Sequence, residues 1–429
     1  MRQPAASKEP PAAHREPLTR TTAPGRSPRR PRRLLARLLA VGAVVLGTAL
    51  AGPLPTAHAS VTLTRVSGFG SNPGALTMYV YRPASLTAHP PVVVALHGCT
   101  QSAQVYADNS GLPQLADQDG FLLVLAETTT ANNANKCFNW FQSTDNRRDQ
   151  GEALSVRQMV GQAVTAYGAD PRRVYVTGLS AGGAMTSVML ATYPDVFTAG
   201  AVVAGLPYDC TKDNSPYLCM NPGVDLTPDA WAQRVRDAHP SYQGPWPRTA
   251  IWYGDQDTTV APRNATELRD QWTALHGLSQ TPTRTRTIGS DATRQDQYLA
   301  ADGTVAVEVD RVPGIGHGTP VDPGTGTEQC GATGAPYFPD SICSSRWIAR
   351  FFGLDTTDPG GSDPGDGGTA ACWTASNYAQ VQAGRATTSG GYAYAVGSRQ
   401  NMGLYNTFVT HTLKESPTGY YTLADSGCP

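Results

Sequence analysis

The strand-like run Arg173-Val174-Tyr175-Val176 leads into Gly178-Leu179-Ser180-Ala181-Gly182, and a helix-like run begins near Gly183. A serine set between glycines in this way marks a sharp strand-to-helix turn, because a Cβ at position 178 or 182 would crowd the turn against the neighbouring sheet and helix. Such a turn holds Ser180 in strained backbone angles. It lifts Oγ above the end of the sheet, in front of a helix N-terminus that favours negative charge. The pattern predicts a nucleophilic serine; the plainer alternative is an ordinary glycine-rich β-to-α connection.

A serine nucleophile needs a base and a group to orient it. Downstream lie Asp257, in Gly254-Asp255-Gln256-Asp257-Thr258-Thr259-Val260, and His317, in Pro313-Gly314-Ile315-Gly316-His317-Gly318. Serine, then acid, then histidine is the chain order of the α/β-hydrolases. Asp257 follows the apolar run Thr249 to Tyr253, so its carboxylate can stand at the carboxyl end of the sheet and hold one imidazole nitrogen. Asp255 is a rival, but it directly follows the strand and Gly254 and can serve as an ordinary turn residue. His317 follows Val305 to Val309 in a glycine-rich loop that lets its ring reach back over the serine. Donors for the oxyanion are expected where Pro91 to Leu96 runs into His97-Gly98-Cys99-Thr100, with the backbone N–H groups of Cys99 and Ala181 as the pair. His97 is a second candidate base; its place against an apolar strand favours a role in shaping the oxyanion loop.

The fold class is α/β: an α/β-hydrolase with a mostly parallel central sheet, followed by a small disulfide-stapled C-terminal domain. Strands are expected at 76–81, 91–96, 121–126, 173–177, 199–204, 249–253 and 305–309, and helices near 152–167, 183–193 and 345–352. The strands are continuously apolar, as buried parallel strands are. Residues 206–248, rich in proline, aspartate and aromatics, suit a cap or cleft wall, and Trp140 and Trp252 are candidate apolar cleft residues or plain core. Residues 60–354 thus form the catalytic domain and 355–370, rich in glycine, proline and aspartate, a flexible linker. Residues 371–429 form a small aromatic-rich module with candidate binding residues Trp373, Tyr378 and Tyr405. An aromatic module tethered to a hydrolase suits adhesion to an insoluble polymer.

At the amino end a basic stretch, Arg29 to Arg37, precedes an apolar one, Leu38 to Ala51, and the small-x-small signal Ala57-His58-Ala59. This is the pattern of a secretory leader over residues 1–59, with Arg32-Arg33 leaving twin-arginine export open and an uncleaved anchor as the alternative. Of 33 basic and 34 acidic residues, ten and two lie in the leader, so the exported chain carries a formal charge of about −9 and nothing that invites nucleic acid. The expected location is extracellular, without stable membrane association or an obligate protein partner. Eight cysteines in an exported chain are most simply four disulfides. Loop closure favours Cys99 with Cys137, Cys210 with Cys219, Cys330 with Cys343 and Cys372 with Cys428, without fixing them among 105 pairings. A zinc site at Cys210 and Cys219 lacks a Cys/His cluster to complete it, and neither metal nor cofactor is expected.

The chain resembles the extracellular poly(3-hydroxybutyrate) depolymerases and their feruloyl and acetylxylan esterase relatives. The likeness rests on Leu96-His97-Gly98-Cys99-Thr100-Gln101, Cys137-Phe138-Asn139-Trp140-Phe141, Gly151-Glu152-Ala153, Gln158-Met159-Val160 and Gly178 to Met185. It implies Ser180 as nucleophile, Asp257 as acid, His317 as base and residues 97–99 as the oxyanion loop. Tyr253 stands where the family often has histidine before the glycine of the acid motif. The tail is similar to the polymer-binding domain of short-chain-length polyhydroxyalkanoate depolymerases through Cys372 to Tyr378, Ala383 to Ala386 and Gly403 to Asn406, with Gln380 where related modules often carry histidine. The resemblance implies a secreted serine esterase that cleaves an insoluble short-chain polyester, the alternative being a feruloyl or acetylxylan esterase.

Overall fold

Runs of consecutive apolar residues build the centre of the main sheet: Val92–Leu96 and Val174–Leu179 are buried at every position, as strands covered on both faces must be. The computed structural model describes residues 60–335, 337–355, 372–415 and 421–425. The expected leader, 1–59, lies outside the described residues, as does the expected linker apart from Asp355. The sheet has ten strands: β1 (Thr64–Val66), β2 (Thr77–Tyr81), β3 (Val92–Leu96), β4 (Leu122–Glu127), β5 (Val174–Leu179), β6 (Ala199–Val203), β7 (Arg248–Gly254), β8 (Arg284–Ile288), β9 (Thr293–Leu299) and β10 (Val305–Val312). Their spatial order is β1-β2-β4-β3-β5-β6-β7-β10-β9-β8. From β4 to β10 every pairing is parallel, while β1–β2 and β9–β8 flank this centre antiparallel.

Helices cover both faces. Gly151–Tyr167, Ala181–Thr192, Pro228–Ala238 and Arg263–Leu275 contribute to one apolar cluster with Val94, Val176 and Ile251. Ala103–Ser110, Leu112–Asp119 and Ser344–Phe352 contribute to the other, with Val93, Tyr175 and Ala250. The alternation of strand residues between the two clusters follows the two-residue period of a pleated strand.

Two stretches differ from the sequence expectation. Only part of 206–248 can act as a cap, because Trp231, Ala232 and Val235 of the helix Pro228–Ala238 are buried in the core, where Trp231 Nε1 donates to Glu267 Oε2 at 2.7 Å. The polar strands β8 and β9 were hidden by their composition. Gln295 and Gln297 of β9 are buried and donate to Asp310 and Glu308 of β10 at 2.9 and 2.7 Å. Burial holds both carboxyls above their usual range, and a strand whose inward positions carry this polar network does not read as apolar.

The C-terminal module has a three-stranded sheet of Cys372–Ser376, Thr410–Glu415 and Tyr421–Leu423 and a second of Ala386–Ser389, Tyr392–Ala395 and Asn401–Leu404, with a short helix, Asn377–Gln382. Its buried apolar residues are Ala386, Ala393, Ala395, Met402 and Leu413. So small a core gains from a covalent staple. Cys372 is disulfide-bonded, and the expected partner Cys428 lies outside the described residues. The other three expected pairings are present: Cys99–Cys137, Cys210–Cys219 and Cys330–Cys343.

Candidate active site

Ser180 sits between β5 and the helix Ala181–Thr192 with φ 57° and ψ −115°, a strained position fixed by its N–H bond to Val203 O at 2.9 Å. The flanking glycines are there for close approach. A Cβ on Gly178 would stand 2.5 Å from the Gly182 carbonyl oxygen, and one on Gly182 would collide with the Leu96 carbonyl at the end of β3. The elbow is therefore wedged against the end of β3, the strand that leads into His97-Gly98-Cys99.

Two further loops reach this end of the sheet. Asp257 follows β7 and His317 follows β10, parallel neighbours, with β6 alone between β5 and β7. Asp257 is buried; its Oδ1 accepts the N–H groups of Thr259 and Val260 at 2.8 and 2.9 Å, leaving Oδ2 for His317 Nδ1 at 2.7 Å. That bond occupies Nδ1 and leaves Nε2 as the nitrogen that can face a serine. No hydrogen bond joins Ser180 Oγ to His317 among the described residues; in serine hydrolases this contact is often long until substrate binds.

The rival acid has different work. Asp255 accepts the Gly314 N–H at 2.8 Å and pairs with Arg311 at 2.9 Å, which ties the histidine loop back to β10. The Gly314 bond, then Arg311, hold its carboxyl below the usual range. Tyr337, edge-on to the His317 ring at 5.7 Å between centroids, is a second neighbour that the sequence did not single out; it lies 20 residues beyond the histidine in a loop without periodicity.

In the loop expected to hold the oxyanion, His97 Nε2 accepts the Thr128 N–H at 3.2 Å, so Nδ1 carries the proton and donates to Gly98 O at 2.7 Å. Burial drives the ring's pKa down to about 4. A neutral imidazole with both nitrogens occupied shapes the loop and has none left to serve as base. Gly98 and Thr100 donate to Gln101 Oε1 and Asn135 O, whereas the Cys99 N–H between them has no acceptor among the described residues. Ala181 opens its helix, where N–H groups have no helical acceptor. The segment behind Cys99 is anchored by Asn139, whose N–H and Nδ2 both donate to the buried Glu152. Burial drives that carboxyl up to about 8, with the Asn139 bonds opposing the rise.

The expected aromatic contacts divide. Trp252 is 1% exposed in the core cluster, so its ring belongs to packing and not to a cleft wall. Trp140 is also buried in a core cluster, edge-on to Phe141. In the module, Trp373 is half-buried under the Arg385 guanidinium at 5.0 Å and against Tyr421 at 5.8 Å. Tyr378 and Tyr405 stack at 5.6 Å with Tyr378 exposed. Tyr392, Leu404 and Phe408, not put forward as binding residues from the sequence, are exposed as well, Phe408 to 89%. Gln380 is fully buried and bridges Trp373 O, His411 O and Arg385, so this position supports the module from within.

Among the described residues no group of three or more His, Cys, Asp or Glu side chains is placed to hold a metal, and no helix is long and apolar enough to cross a membrane.

The sequence model of the esterase PHB depolymerase family matches residues 75–296. The chain is 50% identical over 293 residues to poly(3-hydroxyalkanoate) depolymerase C of Paucimonas lemoignei, covering 68% of this chain and 70% of that one. It is 36% identical over 339 residues to feruloyl esterase B of Talaromyces stipitatus, covering 77% and 91%. Among solved structures, an acetyl xylan esterase from Aspergillus awamori superposes with a TM-score of 0.58 at 27% identity, over 68% of this chain and all of that one.

Proposed function

The chain belongs to the esterase PHB depolymerase family, and on that premise we propose that it is a secreted serine esterase that hydrolyses poly(3-hydroxybutyrate) and related short-chain polyesters. The observation that carries the chemistry is the 2.7 Å bond from His317 to Asp257 at the sheet end where the strained Ser180 stands. Ser180 Oγ attacks the ester carbonyl and passes its proton to His317 Nε2, while Asp257 fixes the tautomer and steadies the imidazolium. The Cys99 and Ala181 N–H groups face the negative oxygen of the tetrahedral intermediate. His317 returns the proton to the departing alcohol, and water, activated by the same ring, releases the acid. The exposed side chains of Tyr378, Tyr392, Leu404 and Phe408 give residues 371–429 apolar surface for an insoluble polyester, so the module holds the catalytic domain, 60–354, at high local concentration.

A preference for feruloyl or acetyl esters of plant cell-wall polysaccharide is the second reading, favoured by the feruloyl esterase match. Purified protein incubated in parallel with amorphous poly(3-hydroxybutyrate), feruloylated arabinoxylan and acetylated xylan decides between them. Acid release from the polyester that disappears with Ser180→Ala is the expected result; release from the plant substrates alone overturns the polyester reading.

A further inference from the structure

The oxyanion loop carries Cys99 on backbone with little secondary structure of its own, so something else must hold its N–H in place. The segment 128–139 does so at four points. Thr128 N–H donates to His97, Asn135 O accepts the Thr100 N–H at 2.7 Å, Cys137 is bonded to Cys99, and Phe138 packs on the His97 ring at 5.1 Å. That segment is itself irregular. Its far end is gripped by Glu152 in the first turn of the helix Gly151–Tyr167: Oε2 accepts the Asn139 N–H at 2.7 Å and Oε1 accepts Asn139 Nδ2 at 3.1 Å. Asn139 Oδ1 gathers Asn133 Nδ2 and Gln142 Nε2 at 3.1 and 3.2 Å, and Asn132 Nδ2 reaches the Gly74 carbonyl at 2.6 Å. Asp145 is the charged group set against Glu152, its Oδ1 accepting the Glu152 N–H at 3.1 Å. The catalytic roles proposed above use neither Glu152 nor Asn139, yet a wholly buried carboxyl group stands there, and such a group is costly unless it is hydrogen-bonded.

We propose that Glu152 is a positioning residue for the acyl-transfer step: by clasping Asn139 it fixes the segment that aims the Cys99 N–H at the oxyanion. The inference rests on the serine-esterase reading of the site. Loss of the clasp lets the donor drift from the place where the negative oxygen forms, while the substrate's ground-state contacts and the Asp257–His317 pair are untouched. Removing an oxyanion donor outright lowers kcat about 10²–10³-fold, so displacing one is expected to lower it by about 10–100-fold.

The test compares full-length wild type, Glu152→Ala and Glu152→Gln on a soluble short-chain ester. Each is normalised to active sites titrated with an active-serine reagent, and the inhibition constant of an aryl trifluoromethyl ketone, whose hydrate-forming carbonyl becomes an oxyanion on Ser180, is measured alongside. The expected result for Glu152→Ala is the stated fall in kcat per titrated site, KM within about threefold of wild type, and a ketone affinity that falls in step with kcat/KM. Glu152→Gln keeps the side-chain volume and the Asn139 N–H bond but sets an amide donor against Asn139 Nδ2, so it lies between the two and decides the matter if the alanine variant does not fold. Unchanged kcat per titrated site overturns the proposal. So does a fall in kcat with unchanged ketone affinity, which is the mark of a merely structural residue. A wild type without Ser180-dependent hydrolysis sinks the underlying esterase reading instead.

Discussion

Trp231, Trp252 and Trp272 are wholly buried in the hydrolase unit, whereas Tyr378, Tyr392 and Phe408 of the C-terminal module face solvent. The two regions use apolar surface for opposite ends. In the first, large rings fill both faces of a ten-stranded sheet and hold three loops at its carboxyl edge, because acyl transfer needs donors and a base fixed before the substrate arrives. In the second, a small core of Ala386, Ala393, Ala395, Met402 and Leu413 suffices to display rings outward, where their area is released from water only when another apolar surface meets them. Chemistry and adhesion should therefore be separable by substitution.

The largest expected effect is on the chemistry alone. Ser180→Ala should lower hydrolysis of a soluble ester by about 10⁵–10⁶-fold and leave adsorption to polyester particles unchanged. Adsorption that fell with turnover would break the division between the two regions. Next comes the choice of acid. Asp257→Asn removes the carboxylate that fixes the His317 tautomer and should lower kcat/KM by about 10³–10⁴-fold. Asp255→Asn, which only loosens the tie from Gly314 to Arg311, should cost less than about tenfold by the same measure. Comparable losses from both would mean that the 2.7 Å bond is not the orienting contact.

The dryness of the hydrolase unit can be read from His97. Its buried ring stays neutral down to about pH 4, while the unfolded chain's ring takes a proton below about 6.5. Protons therefore favour the unfolded state within that window. The stability contributed is fully present above pH 6.5 and is lost as pH falls to about 4, by about 3 kcal/mol in all. Denaturant unfolding of wild type and His97→Asn at pH 7 and pH 4 measures it. The stability difference between the two should shrink by about that amount at the lower pH, and a difference independent of pH would show a ring open to water.

How much of this was legible depended on what each position must do. The elbow could be read because only glycine fits beside Gly182 and Leu96, a steric demand that leaves its mark in sequence. The apolar strands were legible for the same kind of reason, burial on both faces. Gln295 and Gln297 conceal β9 because hydrogen bonds to Asp310 and Glu308, not apolar character, make them fit to be buried. The same holds for Glu152 and Asn139: a polar pair that satisfies itself inside looks on paper like two surface residues. Which aromatics of the module point outward was also beyond reading. Alternation along strands of four residues is too short to orient, and Trp373 is half-covered by Arg385 while Phe408, outside any strand, is exposed.

The smallest expected effect falls on that outward face. Leu404 lies opposite Tyr392 in the ladder between two strands of the module, and Phe408 follows four residues on, its N–H held by Asn406 Oδ1 at 2.9 Å. Neither is in the module's core, so replacing both by serine, Leu404→Ser with Phe408→Ser, should leave its fold and the hydrolysis of a soluble ester intact. Adsorption to polyester particles should weaken by about tenfold, the equivalent of about 1.4 kcal/mol and of roughly 50 Å² of apolar area no longer withdrawn from water. Trp373→Ala gives the contrast, since removing a ring packed between Arg385 and Tyr421 should lower the thermal stability of the module before it alters adsorption at room temperature. If instead Trp373→Ala abolishes adsorption with the module still folded, and the serine pair does nothing, the adhesive face lies on the Trp373 side and the exposed rings are incidental.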